Sequence, residues 1–354
     1  MIEVLVVDDS ALMRRIISDM INHEENMRVA GTAKDGEELL EKLETLKPDI
    51  ITLDVEMPKL NGIEALLEMK KRRMDIPVIM LSSVSSKGPM LTMQCLEAGA
   101  FDFIPKPSGE ISLDISKVKA ELAEKINLAY DKSISSKTYG IIADEEFGKP
   151  EEKKSAEKNP EASRRINAVV IGASTGGPRA LYAVITKLPE DLGVPVFIVQ
   201  HMPEGFTKAF ADRLNTNSRM KVQEACHLQE VEINNVYVAP GGYHMEVKAD
   251  KKIHLNKEPS IWGVRPAADR LFSSAAEVYG PGLLSVVLTG MGRDGAKGTE
   301  DVKKAGGTTI SQDKSTCVIY GMPKAAYETG MVDFVSPLEK ISEKILKLVY
   351  RDGR

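Results

Sequence analysis

Along residues 2–129, short apolar runs alternate with amphipathic stretches: IEVLVV then ALMRRIISDMI, MRVAGTA then EELLEKLETL, DIITLD then GIEALLEMKKR, IPVIML then MLTMQCLEAG, FDFI then ISKVKAELAEKINLAY. The short runs have the length of buried strands, and the longer ones repeat apolar residues at helical spacing. Five strand-helix repeats predict a doubly wound parallel α/β sheet over residues 1–129. The alternation then stops. Residues 130–164 are rich in Glu, Lys, Ser and Pro, which predicts a solvated polar linker, with the short YGII segment at 139–142 as the one part that can dock on a neighbouring domain.

From Asn167 the pattern resumes with NAVVIG, PVFIVQ, VYVAP, LLSVVLTG, TTISQD and VDFV, with helical stretches between most of them and SPLEKISEKILKLVY at the end. A second doubly wound α/β domain, Rossmann-like, is expected over residues 165–354. GYHMEVKADKKIHLN reads instead as two alternating strands around Asp250 and Lys251, a β-hairpin insertion placed in the larger sheet.

Length and composition agree with two globular domains: 354 residues, 42% hydrophobic and 28% charged. A net charge of −5 gives no basic face for DNA or an anionic membrane, and no 18-residue apolar run or signal peptide is found. The three cysteines, Cys95, Cys226 and Cys317, are far apart and odd in number, as in a reduced cytoplasmic protein.

In a parallel α/β sheet, functional groups gather at the carboxyl ends of the strands. In the first domain those positions hold Asp8 and Asp9, Asp54, Ser82 and Lys106. Three crowded carboxylates require a cation, and hard oxygen ligands with room for water select Mg²⁺. Asp54 can then act as a nucleophile toward phosphorus, with Lys106 and Ser82 neutralising and hydrogen-bonding the phosphoryl oxygens. Singly, each of these residues reads as a solvated strand end or a helix cap; jointly they do not. Through VVDDS, LDVEMPKLNG, MLSS and FIPKP this region resembles the flavodoxin-like receiver domains of bacterial response regulators. The resemblance implies that a histidine kinase is the phosphodonor and that Phe103 and Ser82 move when Asp54 is modified. It also implies that the backbone carbonyl of Glu56 completes the metal site, and that the Lys106–Pro107 bond is a candidate cis bond.

The second domain opens with AVVIGASTGGPRAL, and Gly172 to Gly176 satisfies G-x-S-x-G, a pattern that exposes a serine on a strand-to-helix turn. A phosphate-cradling loop suits the same glycines, but GxGxxG spacing and a Walker lysine are missing. His201 directly follows PVFIVQ and Asp294 lies after LLSVVLTG, so Ser174, His201 and Asp294 can meet at one sheet edge as nucleophile, base and orienting carboxylate. Asp313 is the rival acid, Asp269 reads as a helix-surface charge, and His23, His227, His244 and His254 fall on helix, loop or hairpin positions. Asp294 is preferred because the flanking glycines permit close approach. The chain order Ser, His, Asp departs from that of α/β hydrolases. A DNA-binding output module would need a basic recognition helix, which this strand-helix alternation does not offer.

With IGASTGGP, QHMP, YVAPGGYH and LTGMGRDGA, the second domain resembles the protein-glutamate methylesterases of bacterial chemotaxis, and with the receiver the likeness spans the chain outside the linker. The resemblance implies a cytoplasmic enzyme that hydrolyses γ-glutamyl methyl esters on chemoreceptors and needs no cofactor for that step. Deamidation of receptor glutamines is a further implied activity. Thr175, Met202, Pro203 and Met291 would line the rim, with backbone N–H groups near Met291 and Ser174 as the oxyanion site.

Overall fold

The computed structural model describes residues 1–83, 87–106, 112–142 and 165–350. The first half runs β1 (Ile2–Val7), α1 (Ala11–Asn22), β2 (Met27–Ala33), α2 (Gly36–Leu43), β3 (Ile50–Asp54), α3 (Gly62–Lys71), β4 (Val78–Ser82), α4 (Gly88–Glu97), β5 (Asp102–Pro105) and α5 (Ser112–Ile142). Its strands form a parallel sheet in the order β2-β1-β3-β4-β5. The sheet is buried on both faces, as continuous apolar runs require. Ser10 caps α1, and Asn61 with Glu64 forms a capping box on α3. These caps fix the loops that follow β1 and β3, where the acidic residues lie.

Helix α5 continues to Ile142, so residues 130–142, expected as polar linker, are helical. This stretch holds no Pro and no Gly before Gly140, so nothing stops the helix. Lys132 contacts the second half, its Nζ donating to the Cys317 carbonyl at 2.8 Å. Residues 139–142 form the end of this helix. Residues 143–164, expected to be linker, lie outside the described residues.

The second half comprises β6 (Ala168–Ala173), α6 (Gly177–Ile185), β7 (Val196–Gln200), α7 (Phe206–Asn217), β8 (Lys221–Glu224), β9 (Gln229–Glu230), β10 (Asn235–Val238), β11 (His244–Val247), β12 (Lys252–Asn256), α8 (Ala268–Tyr279), β13 (Leu283–Val287), α9 (Ala296–Lys304), β14 (Thr308–Gln312), α10 (Met322–Glu328), β15 (Phe334–Ser336) and α11 (Leu338–Val349). Seven parallel strands are ordered β15-β14-β13-β6-β7-β10-β8. The hairpin β11-β12 is present but is not part of that sheet: it pairs with β9 in a separate three-stranded antiparallel sheet. In the large sheet the chain moves outward from β6 through β7, then returns to place β13 on the other side of β6. A crevice opens at such a reversal, beyond the carboxyl ends of the strands.

The two halves pack together. Helix α4 lies against α6 and α7, and a gap of only about 10 Å³ remains among Met93, Leu96, Tyr182, Phe210 and Leu214. Phe103 of β5 stacks on Phe206, ring centroids 4.6 Å apart. Arg213 donates Nε and one terminal nitrogen to the two carboxylate oxygens of Glu97, at 2.8 and 2.6 Å.

Candidate active site and phosphoacceptor site

At the carboxyl edge of the first sheet, Asp8 and Asp54 are buried and Asp9 is exposed; one oxygen from each lies within 4.8 Å of the others. Lys106 Nζ bridges Asp8 and Asp54, 2.7 Å from each. Burial raises the pKa of Asp54 to about 6, against the opposing pull of Lys106. Burial acts in the opposite sense on Lys106, yet Asp54 and Asp8 hold its pKa above the ordinary value. One lysine offsets only part of three carboxylates, so this hard oxygen donor set fits a divalent cation such as Mg²⁺. Glu56 adjoins the cluster through its backbone N–H, 3.3 Å from Asp54 Oδ1. Ser82 is fully buried, its hydroxyl 2.7 Å from that of Thr92 on α4, while Thr92 also reaches the Gly88 carbonyl at 2.7 Å. Thr92 was not anticipated from sequence. The Lys106–Pro107 bond lies outside the described residues.

At the crevice of the second sheet, Ser174 follows β6, His201 follows β7, and Asp294 lies between β13 and α9. Gly176 turns the chain with φ +74° into α6. A Cβ at Gly290 would lie 2.8 Å from Ser174 Cβ and 2.9 Å from its nitrogen, so only glycine lets this loop approach the serine turn. His201 Nε2 lies 2.7 Å from Asp294 Oδ2. Asp294 also accepts the backbone N–H groups of Ala268 (2.6 Å), Asp269 (2.8 Å) and Gly295 (3.0 Å). Burial pushes its pKa up, but the hydrogen bonds from His201 and the backbone prevail and hold it low. Ser174, Thr175, His201, Met202, Pro203 and Met291 all line one cavity of about 340 Å³. Among the described residues Ser174 Oγ has no hydrogen bond to His201, and the N–H of Met291 has no acceptor. Hydrogen bonds of this kind are often long or unmade in unliganded sites.

Some residues of this site were not foreseen. Gln200 Nε2 donates to the carbonyls of Ser174 (3.0 Å) and His201 (3.3 Å), tying the two loops together. Its place in QHMP was the available signal. Trp262, Gly263, Val264 and Arg265 form the rim, and Asp102, Phe103, Pro105, Glu121 and Lys125 of the first domain close one side. Asp269, expected as a surface charge, is buried, because its carboxylate takes up backbone N–H groups at the start of α9. Asp313 instead bonds Ser315 and Thr316 within its own loop and does not line the cavity.

Residues 169–345 match the CheB methylesterase family, and residues 4–115 match the response regulator receiver domain. The chain belongs to the CheB methylesterase family. It is 54% identical over 348 residues to a protein-glutamate methylesterase/protein-glutamine glutaminase of Clostridium acetobutylicum, covering 98% of both chains. To the protein of the same description from Bacillus subtilis it is 44% identical over 361 residues, covering 99% of both chains. Among solved structures, the Thermotoga maritima CheB methylesterase catalytic domain superposes with a TM-score of 0.51 at 48% identity, covering 52% of this chain and 99% of that one. CheB membership agrees with two parallel α/β domains, one of them a receiver. Among the described residues no helix is long and apolar enough to cross a membrane.

Proposed function

We propose that this protein is a phosphorylation-regulated esterase that removes methyl groups from γ-glutamyl esters on the cytoplasmic helices of chemoreceptors, with Ser174, His201 and Asp294 as its catalytic triad. The observation that carries the reading is the 2.7 Å bond from His201 to the buried Asp294, with His201 lining the same cavity as Ser174. With Nε2 committed to Asp294, Nδ1 of His201 is the nitrogen that takes the Ser174 proton. Ser174 Oγ attacks the ester carbonyl, and the oxyanion is received by the Met291 N–H and the Ser174 turn. The bond to the methoxy oxygen then breaks, and His201 returns its proton to release methanol. Water, deprotonated by His201, attacks the acyl-enzyme and frees glutamate and Ser174. Thr175 and Met202 shape the entrance beside them. A receptor glutamine would follow the same course with ammonia leaving.

Asp54 is the phosphoacceptor. With a pKa of about 6 it is roughly nine-tenths ionised at pH 7 and can attack the phosphorus supplied by the chemotaxis histidine kinase. Asp8, Asp9, Asp54 and the Glu56 carbonyl would hold Mg²⁺, which offsets negative charge on the phosphoryl oxygens. Lys106 pairs with one of those oxygens, and Ser82 exchanges Thr92 for another. Phe103, three residues before Lys106 and stacked on Phe206, carries the change to the domain contact. In the arrangement described, the first domain narrows access to Ser174.

The test is methanol release from methylated receptor membranes. Wild-type protein should release methanol, faster with a phosphodonor and Mg²⁺, and Ser174→Ala should release none. A fluorophosphonate should label Ser174 in the wild type. Undiminished release by Ser174→Ala would sink the reading.

A further inference from the structure

Asp269 is a buried carboxylate for which the reaction above has no use. It is the second residue of α8, yet its Oδ1 accepts the N–H groups of Gly295 (2.9 Å) and Gly298 (2.7 Å) at the start of α9. Asp294, just ahead of α9, in turn accepts the N–H groups of Ala268 and Asp269 at the start of α8. The two carboxylates thus cap each other's helices, where negative charge is favoured. Burial first, and then the charge of Asp294, raises the pKa of Asp269. Capping accounts for Oδ1 of Asp269 and leaves its Oδ2 to another role.

The remaining oxygen of Asp269 points to the rim. Its Oδ2 accepts the indole N–H of Trp262 at 2.9 Å. Trp262 is the chain's only tryptophan, is 55% exposed, and has φ +53°, a left-handed conformation that bulky residues rarely adopt. It shares a two-residue turn with Gly263 (φ +80°), clamped by mutual hydrogen bonds between Ile261 and Val264 at 3.1 and 3.0 Å. The Arg293 guanidinium lies 4.8 Å from the ring centroid. An exposed tryptophan held in a strained turn, bonded at its edge to Asp269 and covered on its face by the residue preceding Asp294, is oriented for use rather than for packing. It also borders the cavity that holds Ser174 and His201.

We propose that Trp262 and Asp269 are a positioning pair that links the rim of the cleft to the catalytic carboxylate. The indole receives the polypeptide flanking the esterified side chain, and through Asp269 and the Gly295–Gly298 turn this contact holds Asp294 in line with His201. Binding energy taken at the rim is thereby used at the reacting bond, as it must be for a remote contact to raise turnover. The proposal rests on the esterase reading and names how that site recognises a protein substrate.

The experiment uses the full-length protein with phosphodonor and Mg²⁺, and compares Trp262→Phe, Trp262→Ala, Asp269→Asn and the Trp262→Phe/Asp269→Asn pair. Asn keeps an oxygen for Gly295 and Gly298 but presents N–H to the indole N–H, so it and Trp262→Phe cut the same link. Each should lower kcat on methylated receptor about tenfold with KM within twofold, and the pair should be no worse than Asp269→Asn alone. Trp262→Ala should raise KM as well. In Ser174→Ala protein, a tryptophan-free methylated receptor-helix peptide should change Trp262 fluorescence. Losses that multiply in the pair, wild-type kcat in both single variants, or lowered melting temperatures with unchanged kcat would each overturn the proposal. If Ser174→Ala itself still released methanol, the esterase reading would fall first.

Discussion

Reversing the charge of Arg213 should release the catalytic cleft without phosphorylation. Arg213 on α7 and Glu97 on α4 form a bidentate pair across the domain contact, with side chains 32% and 28% exposed. At that exposure the pair is worth about 1 kcal/mol to the docked arrangement. Arg213→Glu removes it and adds a like-charge repulsion of similar size, together about 2 kcal/mol, so the undocked population should rise by up to roughly 30-fold. Neither side chain lines the Ser174 cavity, so the effect on chemistry itself should be small. The assay is methanol release from methylated receptor membranes by unphosphorylated full-length protein, read as basal rate. Arg213→Glu and Glu97→Arg should each raise it, and the double reversal should bring it back toward wild type. Salt near 1 M, where the screening length falls to about 3 Å, should raise the wild-type basal rate by weakening the pair and lower that of Arg213→Glu by screening its repulsion, so that the two converge. A double variant as active as either single one would refute the reasoning, because the gain would then come from something other than this pair.

Asp54→Ala should leave basal methanol release intact and abolish its stimulation by phosphodonor and Mg²⁺; full stimulation of the variant would remove Asp54 as the phosphoacceptor. Thr92→Val should destabilise the unphosphorylated receiver by about 1 kcal/mol, measured by urea denaturation, since it takes away a buried hydroxyl partner of Ser82. With Ser82 thereby freed for the phosphoryl group, stimulation by acetyl phosphate should reach half-maximum at a lower concentration, and a higher requirement would contradict the proposed exchange of partners. Burial pushes the Cys95 and Cys317 thiols up to about 12, whereas Cys226 is exposed. Iodoacetamide at pH 8 should therefore modify Cys226 alone in native protein, with mass spectrometry of the digest as the check.

What sequence could tell followed from how local each cause was. Asp8, Asp54, Lys106, Ser174 and His201 could be placed because each stands directly after, or at the end of, an apolar run, and parallel sheets bring strand ends together. Asp294 needed one more inference, from the glycines around it, and Gly290 is where that close approach is tightest. The strand β8 escaped notice because KVQE is a polar edge of four residues, with only Val222 buried. The small sheet was misplaced because its third strand is the dipeptide Gln229–Glu230, which carries no periodic signal. Asp269 was misread for a different reason: its partners are the N–H groups of a helix some 25 to 30 residues later, and no pattern in its own helix records them.

The relation between the two sites depends on contacts invisible in either half alone. Two routes lead from Asp54 toward the esterase. Ser82 touches Thr92 on α4, and five residues further along that helix Glu97 holds Arg213 of α7. Lys106 touches Asp54 and follows β5, where Phe103 stacks on Phe206, the first residue of α7. Both routes end on α7, and the segment entering α7 carries His201, 2.7 Å from Asp294. A phosphoryl group that recruits Ser82 and Lys106 therefore draws on both contacts with one helix. Loss of either alone leaves the other to hold the domains together, whereas phosphorylation, on the proposed reading, would act on both. This is why Arg213→Glu should raise basal activity without reaching the phosphorylated rate.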